Sequence, residues 1–154
     1  MAGKSEIIAL GCDHAGYRLK EYLKGRISDW GFRIKDFGTV SEESVDYPDM
    51  IHPLAKAVDE GSINRGIIIC GTGNGVSMVA NKYPHVRAAL CWQPEIASLA
   101  RQHNDANILA LPARFITDTV AADCVETFLN ASFEGGRHQR RVEKIPQGCQ
   151  TENG

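Results

Sequence analysis

The sequence has no apolar run near the roughly 18 residues that a membrane span requires. Its N-terminal segment offers only Ile7 to Leu10 before Gly11 and Asp13, too short for the hydrophobic region of a secretory signal. No membrane partner is expected, and the cytoplasm is the expected location. A basic excess is also missing: 17 Lys and Arg stand against 19 Asp and Glu, for a net charge of −2. The diffuse phosphate attraction behind general nucleic-acid binding is therefore absent, and any anion site must be local. The five cysteines (Cys12, Cys70, Cys91, Cys124, Cys149) are odd in number, scattered and free of any C-x-x-C pair. That argues against a disulfide framework or a zinc site and for a reducing compartment. No repeat, low-complexity stretch or linker divides the 154 residues, so one domain is expected over 1–154, with a frayed tail from about Gly148.

What is present is alternation of strand and helix. Ile7–Leu10, Phe32–Phe37, Gly66–Cys70, Val86–Cys91 and Asn107–Leu111 read as short strands. Between them, apolar residues at helical spacing predict helices over Tyr17–Trp30, a segment capped by Asp49 and stopped by Gly61, Val76–Lys82, Glu95–Gln102 and about Thr117–Leu129. Gly66-Ile67-Ile68-Ile69-Cys70 is continuously apolar, as a central parallel strand covered on both faces should be. The expected fold is an α/β three-layer sandwich around a parallel sheet of about five strands, with ligands at the carboxyl ends of the strands. The tail from Glu134 is polar with one charged helical patch.

Polar residues cluster after the first and third strands and between the fourth and fifth, so Asp13-His14, Cys70–Gly75 and His103-Asn104 are expected to converge on one sheet edge. In Cys70-Gly71-Thr72-Gly73-Asn74-Gly75 the glycines let backbone N–H groups turn toward a ligand, a nest for an anion or oxyanion. The same residues also suit a tight strand-to-helix turn. The spacing is neither a dinucleotide fingerprint nor a P-loop. Cys70, beside a helix start, is a candidate base or nucleophile, or else a small buried hydrophobe. Asp13 next to Cys12 should raise that thiol's pKa. His103 suits proton transfer and Asn104 can donate to a sugar oxygen; alternatively the segment is a helix C-cap with Asn104 left-handed and Asp105 in a turn. Arg137 and Arg141, four apart on one helix face, form either a phosphate clamp or a solvated basic helix end. Tyr47 is a loop anchor or a ligand contact.

Six motifs in order then carry a resemblance. They are Gly11-Cys12-Asp13-His14-Ala15-Gly16, Asp46-Tyr47-Pro48, Cys70 to Gly75, Ala80-Asn81-Lys82, Arg101 to Asn107 and Gly135 to Arg141. From about Ile7 to Val142 the chain resembles the type B ribose-5-phosphate isomerases, in the family that also holds galactose-6-phosphate isomerase subunits. The resemblance implies a Rossmann-like fold and interconversion of ribose 5-phosphate and ribulose 5-phosphate, in the pentose phosphate pathway, without metal or cofactor. It implies a homodimer, or a tetramer, with sites at the subunit interface. On matching positions, Cys70 is the base, and Thr72 with the Gly71, Gly73, Asn74 and Gly75 backbone supports the enediolate. His103 assists ring opening, Asp13 lies near the ring oxygens and Asn104 contacts a hydroxyl. His14, Arg137 and Arg141 hold the phosphate with Arg114; Tyr47 is a site tyrosine, and His138 is a second histidine near the clamp. Asn74 departs from the aliphatic residue of many members. Three other readings compete: an isomerase of allose 6-phosphate or galactose 6-phosphate, a non-catalytic sugar-phosphate binder, and a thiol redox protein.

Overall fold

Apolar strands that alternate between two covered faces build the sheet. The computed structural model describes residues 6–149. Strands β1 (Ile7–Cys12), β2 (Arg33–Asp36), β3 (Arg65–Cys70), β4 (Ala88–Leu90) and β5 (Ile108–Pro112) form one all-parallel sheet in the order β2-β1-β3-β5-β4. Because side chains alternate along a strand, Ile8, Leu10, Cys12, Ile67, Ile69, Leu109 and Leu111 enter one core. There they meet α1 (Tyr17–Asp29), α4 (Pro94–Asn104) and α5 (Asp118–Asn130). Ala9, Ile68, Cys70, Ile108 and Ala110 enter the other, against α2 (Tyr47–Asp59) and α3 (Asn74–Ala80). This is the expected three-layer α/β sandwich. A last helix, α6 (Arg137–Lys144), packs on α4. Among the described residues no helix is long and apolar enough to cross a membrane.

Several boundaries differ from the sequence reading. The second helix starts at Tyr47 behind Asp46, not at Asp49; Pro48 in its first turn supplies a helical φ there, and Asp49 lies in that turn, where the helix dipole favours a carboxylate. β4 is three residues rather than six, as suits an edge strand whose only ladder among the described residues is to β5. α3 begins at Asn74, two residues before Val76, and is seven residues long. The left-handed residue that ends α4 is Asp105 (φ 50°), not Asn104, which stays helical. Gly148 and Cys149 belong to a 3-10 turn, Gln147–Cys149; the rest of the expected frayed tail lies outside the described residues.

A buried charge fixes the β2 end of the sheet. Lys20 on α1 is fully buried, its Nζ 2.7 Å from both Asp36 carboxylate oxygens and 2.8 Å from the Thr39 carbonyl. Burial alone would raise the Asp36 carboxyl, but Lys20, the Gly38 N–H and Lys24 together hold it below its ordinary value. Stability from this carboxylate is thus present above the ordinary carboxylate range and fades as pH falls through the depressed value. Lys20→Met is expected to destabilise the fold by about 3–5 kcal/mol, because one partner of a buried pair is left behind. Lys24, 3.0 Å from Asp36, keeps the loss toward the lower end. The urea midpoint at neutral pH checks it, and a midpoint equal to wild type would refute it.

Candidate active site

From β1 the chain passes through α1 to β2 on one side of it, and then through α2 to β3 on its other side. The carboxyl ends of β1 and β3 therefore open a crevice, the usual ligand position in such sheets. The turn after β1 is held by Asp13, whose Oδ1 accepts the Ala15 and Gly16 N–H groups at 2.9 and 3.1 Å. Gly16 has no substitute there: a Cβ would lie 2.7 Å from Ile69 Cγ2 and 2.9 Å from the Ile69 carbonyl. His14 Nδ1 accepts the Val45 N–H at 3.2 Å, which leaves Nε2 as the protonated nitrogen of the neutral ring. That contact also ties the acidic loop before α2 to the crevice.

Across the crevice β3 ends at Cys70, 5% exposed, whose Sγ accepts the Gly73 N–H at 3.2 Å. Thr72 is exposed and its Oγ1 accepts the Asn74 N–H at 3.2 Å. Gly73 sits at φ 78°, a left-handed conformation, and a Cβ there would collide with Leu90. The Tyr47 ring closes over Gly75, where a Cβ would lie 2.7 Å from its Cζ. Arg114 joins from the end of β5: its N–H donates to the Gly71 carbonyl at 3.0 Å, and its guanidinium lies 3.1 Å from where a Gly71 Cβ would sit. Asp13, His14, Tyr47, Cys70–Gly75 and Arg114 thus share one edge of the sheet.

The other thiols are chemically quieter. Burial pushes Cys12, Cys91 and Cys124 up to about 11, 12 and 11. The expected influence of Asp13 on Cys12 is real but minor beside burial.

His103 and Asn104 do not join that edge, which corrects the expected convergence. They end α4, which runs back across the sheet and delivers the chain to the start of β5. The Gly66 N–H bonds the Asn107 carbonyl at 3.0 Å, pinning this corner to the start of β3. Cys70 pairs with Pro112 at the opposite end of the same ladder, about 13 Å away at 3.3 Å per residue. Segments before and after a parallel strand lie at opposite edges, so a polar cluster just before β5 cannot share an edge with those just after β1 and β3.

At the amino edge a second polar cluster forms. The Glu134 N–H donates to the Gln102 carbonyl at 3.0 Å, docking the segment before α6 on α4. The His103 and His138 rings stack with centroids 4.2 Å apart and planes 12° apart. Glu134 Oε1 lies 3.8 Å from His103 Nε2 and 3.7 Å from His138 Nε2. His138 is 8% exposed, and its Nε2 has no hydrogen-bond partner among the described residues. Burial pushes its pKa down, as do His103, Arg137 and Arg141, against the opposing pull of Glu134. Arg137 and Arg141 are exposed on α6. Glu134 escaped the sequence reading; the signal was a single acid just before Gly135-Gly136 and a basic run.

The ligand atoms of His103, Glu134 and His138 lie within 4.8 Å of one another. Near-parallel stacked rings hold their in-plane nitrogen lone pairs in separate planes, however, which suits a single metal ion poorly.

The two clusters have different surroundings. Next to the nest lies an open groove of about 400 Å³ lined by Thr72, Asn74, Leu90, Trp92, Pro112 and Phe115. Phe115 is 73% exposed and nearby Trp92 48%. A larger cavity, about 650 Å³, lies at the amino edge between the segment following α3 and Ile145-Pro146, and touches Asn104 alone of the candidate residues. Its size does not make it the site, since the nest, the thiol and the crevice lie elsewhere.

Comparison with known proteins points to one family. Residues 8–145 match the model of the family described as Ribose/Galactose Isomerase. Ribose-5-phosphate isomerase B of Escherichia coli is 46% identical over 138 residues, covering 90% of this chain and 93% of that protein. The structure of Clostridium thermocellum ribose-5-phosphate isomerase B superposes with a TM-score of 0.90 at 49% identity, over 92% of this chain and 95% of its own. That of the Mycoplasma genitalium enzyme, with bound ribulose-5-phosphate, superposes with a TM-score of 0.90 at 43% identity, over 96% and 99%. The switch-point crevice with its cysteine and glycine nest, the ordered motifs and these matches lead to one assignment: the chain belongs to the ribose/galactose isomerase family.

Proposed function

We propose that this protein is a cytoplasmic aldose–ketose isomerase that interconverts ribose 5-phosphate and ribulose 5-phosphate, working as a homodimer whose sites join two chains. The observation that carries the reading is the Cys70 thiol on the Gly73 N–H at the mouth of the crevice, in a chain whose relatives are isomerases of these sugars. In the open-chain aldose, Cys70 as thiolate takes the proton on C2 and the electron pair moves toward the C1 carbonyl, giving an enediolate. Returning the proton to C1, while the hydroxyl proton passes from O2 to O1, gives the ketose. Thr72 and the backbone of Gly71, Gly73, Asn74 and Gly75 stabilise the developing oxyanion; one such preorganised donor is worth about 3–4 kcal/mol. No redox partner enters this balance.

The second half comes from the partner copy. His103 protonates the ring oxygen as the furanose opens, Asn104 holds a hydroxyl, and Arg137 and Arg141 clamp the phosphate beside His14 and Arg114. Asp13 and Tyr47 bound the sugar, with His138 behind the clamp. The separation of the two clusters within one chain supports this division, as do the exposed Phe115 and Trp92 beside the nest, which a second copy would cover.

Purified protein is expected to equilibrate the two pentose phosphates, followed by a coupled assay for ribulose 5-phosphate, at a rate unchanged by EDTA. Faster turnover of allose 6-phosphate or galactose 6-phosphate would reassign the substrate. Binding without turnover would leave only a sugar-phosphate sensor.

A further inference from the structure

Glu134 is an unexpected residue where it stands. A phosphate clamp gains from positive charge, yet this carboxylate lies beside Arg137, His138 and Arg141 and is 52% exposed. Its Oε1 is nearly equidistant from two imidazole nitrogens, 3.8 Å from His103 and 3.7 Å from His138. Two imidazoliums with ring centroids 4.2 Å apart would repel, so the stacked pair favours one extra proton over two. His138 Nε2 is buried and has no other partner among the described residues.

We infer that Glu134 is a positioning residue: its carboxylate holds the single extra proton of the stacked His103–His138 pair on the Nε2 side, so that His103 meets the sugar ring oxygen as an acid. This deepens the proposed function and rests on its assignment of ring opening to His103. The distances exceed a hydrogen bond, and a small rotation of the half-exposed Glu134 closes either of them. The charged groups acting on His138, besides its stacked partner His103, are Glu134, Arg137 and Arg141. There the arginines disfavour the imidazolium and Glu134 favours it. Removing the carboxylate therefore makes the pair lose its proton at lower pH. Activity that needs the acid then fails earlier on the alkaline side.

The test compares wild type with Glu134→Gln on two substrates. Ribose 5-phosphate is mostly a closed furanose; the aldose phosphate lacking the 4-hydroxyl cannot close that ring and so needs no opening. Glu134→Gln is expected to lower kcat on ribose 5-phosphate about 10-fold and move the alkaline limb of its pH profile down by about one unit. Turnover of the 4-deoxy compound should stay within about 2-fold of wild type. Equal losses on both substrates, or an unmoved alkaline limb, would overturn the inference. A second readout needs no turnover: in NMR titrations of the His103 and His138 ring protons, the pair's midpoint is expected to fall by about one unit in Glu134→Gln. An unshifted midpoint overturns the inference even if the protein isomerises ribose 5-phosphate. A shifted midpoint in a protein that does not isomerise it leaves Glu134 as the proton holder and sinks the proposed function instead.

Discussion

Cys70→Ala is expected to lower kcat for ribose 5-phosphate by about 10²–10⁴-fold while the protein stays folded and still binds the sugar phosphate. The size follows from what is removed. A positioned base contributes about 10²–10⁴-fold, and the neighbouring thiol cannot replace it: Cys12 has its side chain on the other face of the sheet, and burial holds it protonated to about 11. Folding should survive because the deletion removes one sulfur from the margin of the smaller core, beside Val76 and Ala110, at a cost of about 1 kcal/mol. Titration calorimetry with ribulose 5-phosphate then separates lost chemistry from lost binding. Cys70→Ser should be nearly as inactive, since a serine hydroxyl is far less acidic than a thiol. Wild-type turnover in either variant would remove Cys70 from the mechanism. Iodoacetamide at pH 8 is likewise expected to inactivate the enzyme through Cys70, at the crevice, and to leave Cys12, Cys91 and Cys124 unmodified, because burial keeps those three protonated and only thiolates react appreciably.

The sheet and its crevice were legible because local signals agreed with the global pattern. Ile67, Ile68 and Ile69 are fully buried on both faces, as an unbroken apolar run should be, and Gly73 takes the positive φ that its place in the nest requires. The edges were less legible. Val86 and Cys91 read as strand but flank a three-residue β4, since an edge strand has pairing on one side only and tertiary context decides where the ladder ends. Nothing in the sequence marks Lys20 for burial, since lysine is almost never fully buried unless paired. Its burial depends on Asp36 and on the Thr39 carbonyl, partners that only the assembled fold supplies. Glu134 and the histidine stack depend on α6 docking against α4, a contact between segments that no periodicity encodes. The misplacement of His103 has the same origin: residue type announced the chemistry, and the direction of α4 decided the edge.

That direction yields the second large effect. If each site takes its thiol from one copy and its imidazole from the other, two inactive variants should restore each other. Cys70→Ala and His103→Asn homodimers are each expected to fall below about 1% of wild type on ribose 5-phosphate. In a hybrid of one chain of each kind, one site receives both substitutions and is dead. The other pairs the intact Cys70 of the His103→Asn chain with the intact His103 of the Cys70→Ala chain. Twofold symmetry makes this outcome obligatory for an interface site. A hybrid isolated by two different affinity tags should therefore show about half the wild-type activity, a rise of at least about 50-fold over either parent. A site built within one chain predicts the opposite, since every chain in the hybrid carries a lesion in its own site, and activity would stay at parental levels. The strand ladder from Gly66–Ile108 to Cys70–Pro112 already puts the corner entered from His103 about 13 Å from the end that carries Cys70, too far for one substrate carbon chain to be served by both from a single chain. Hybrid activity at the parental level would refute the shared site and, with it, the role given to His103.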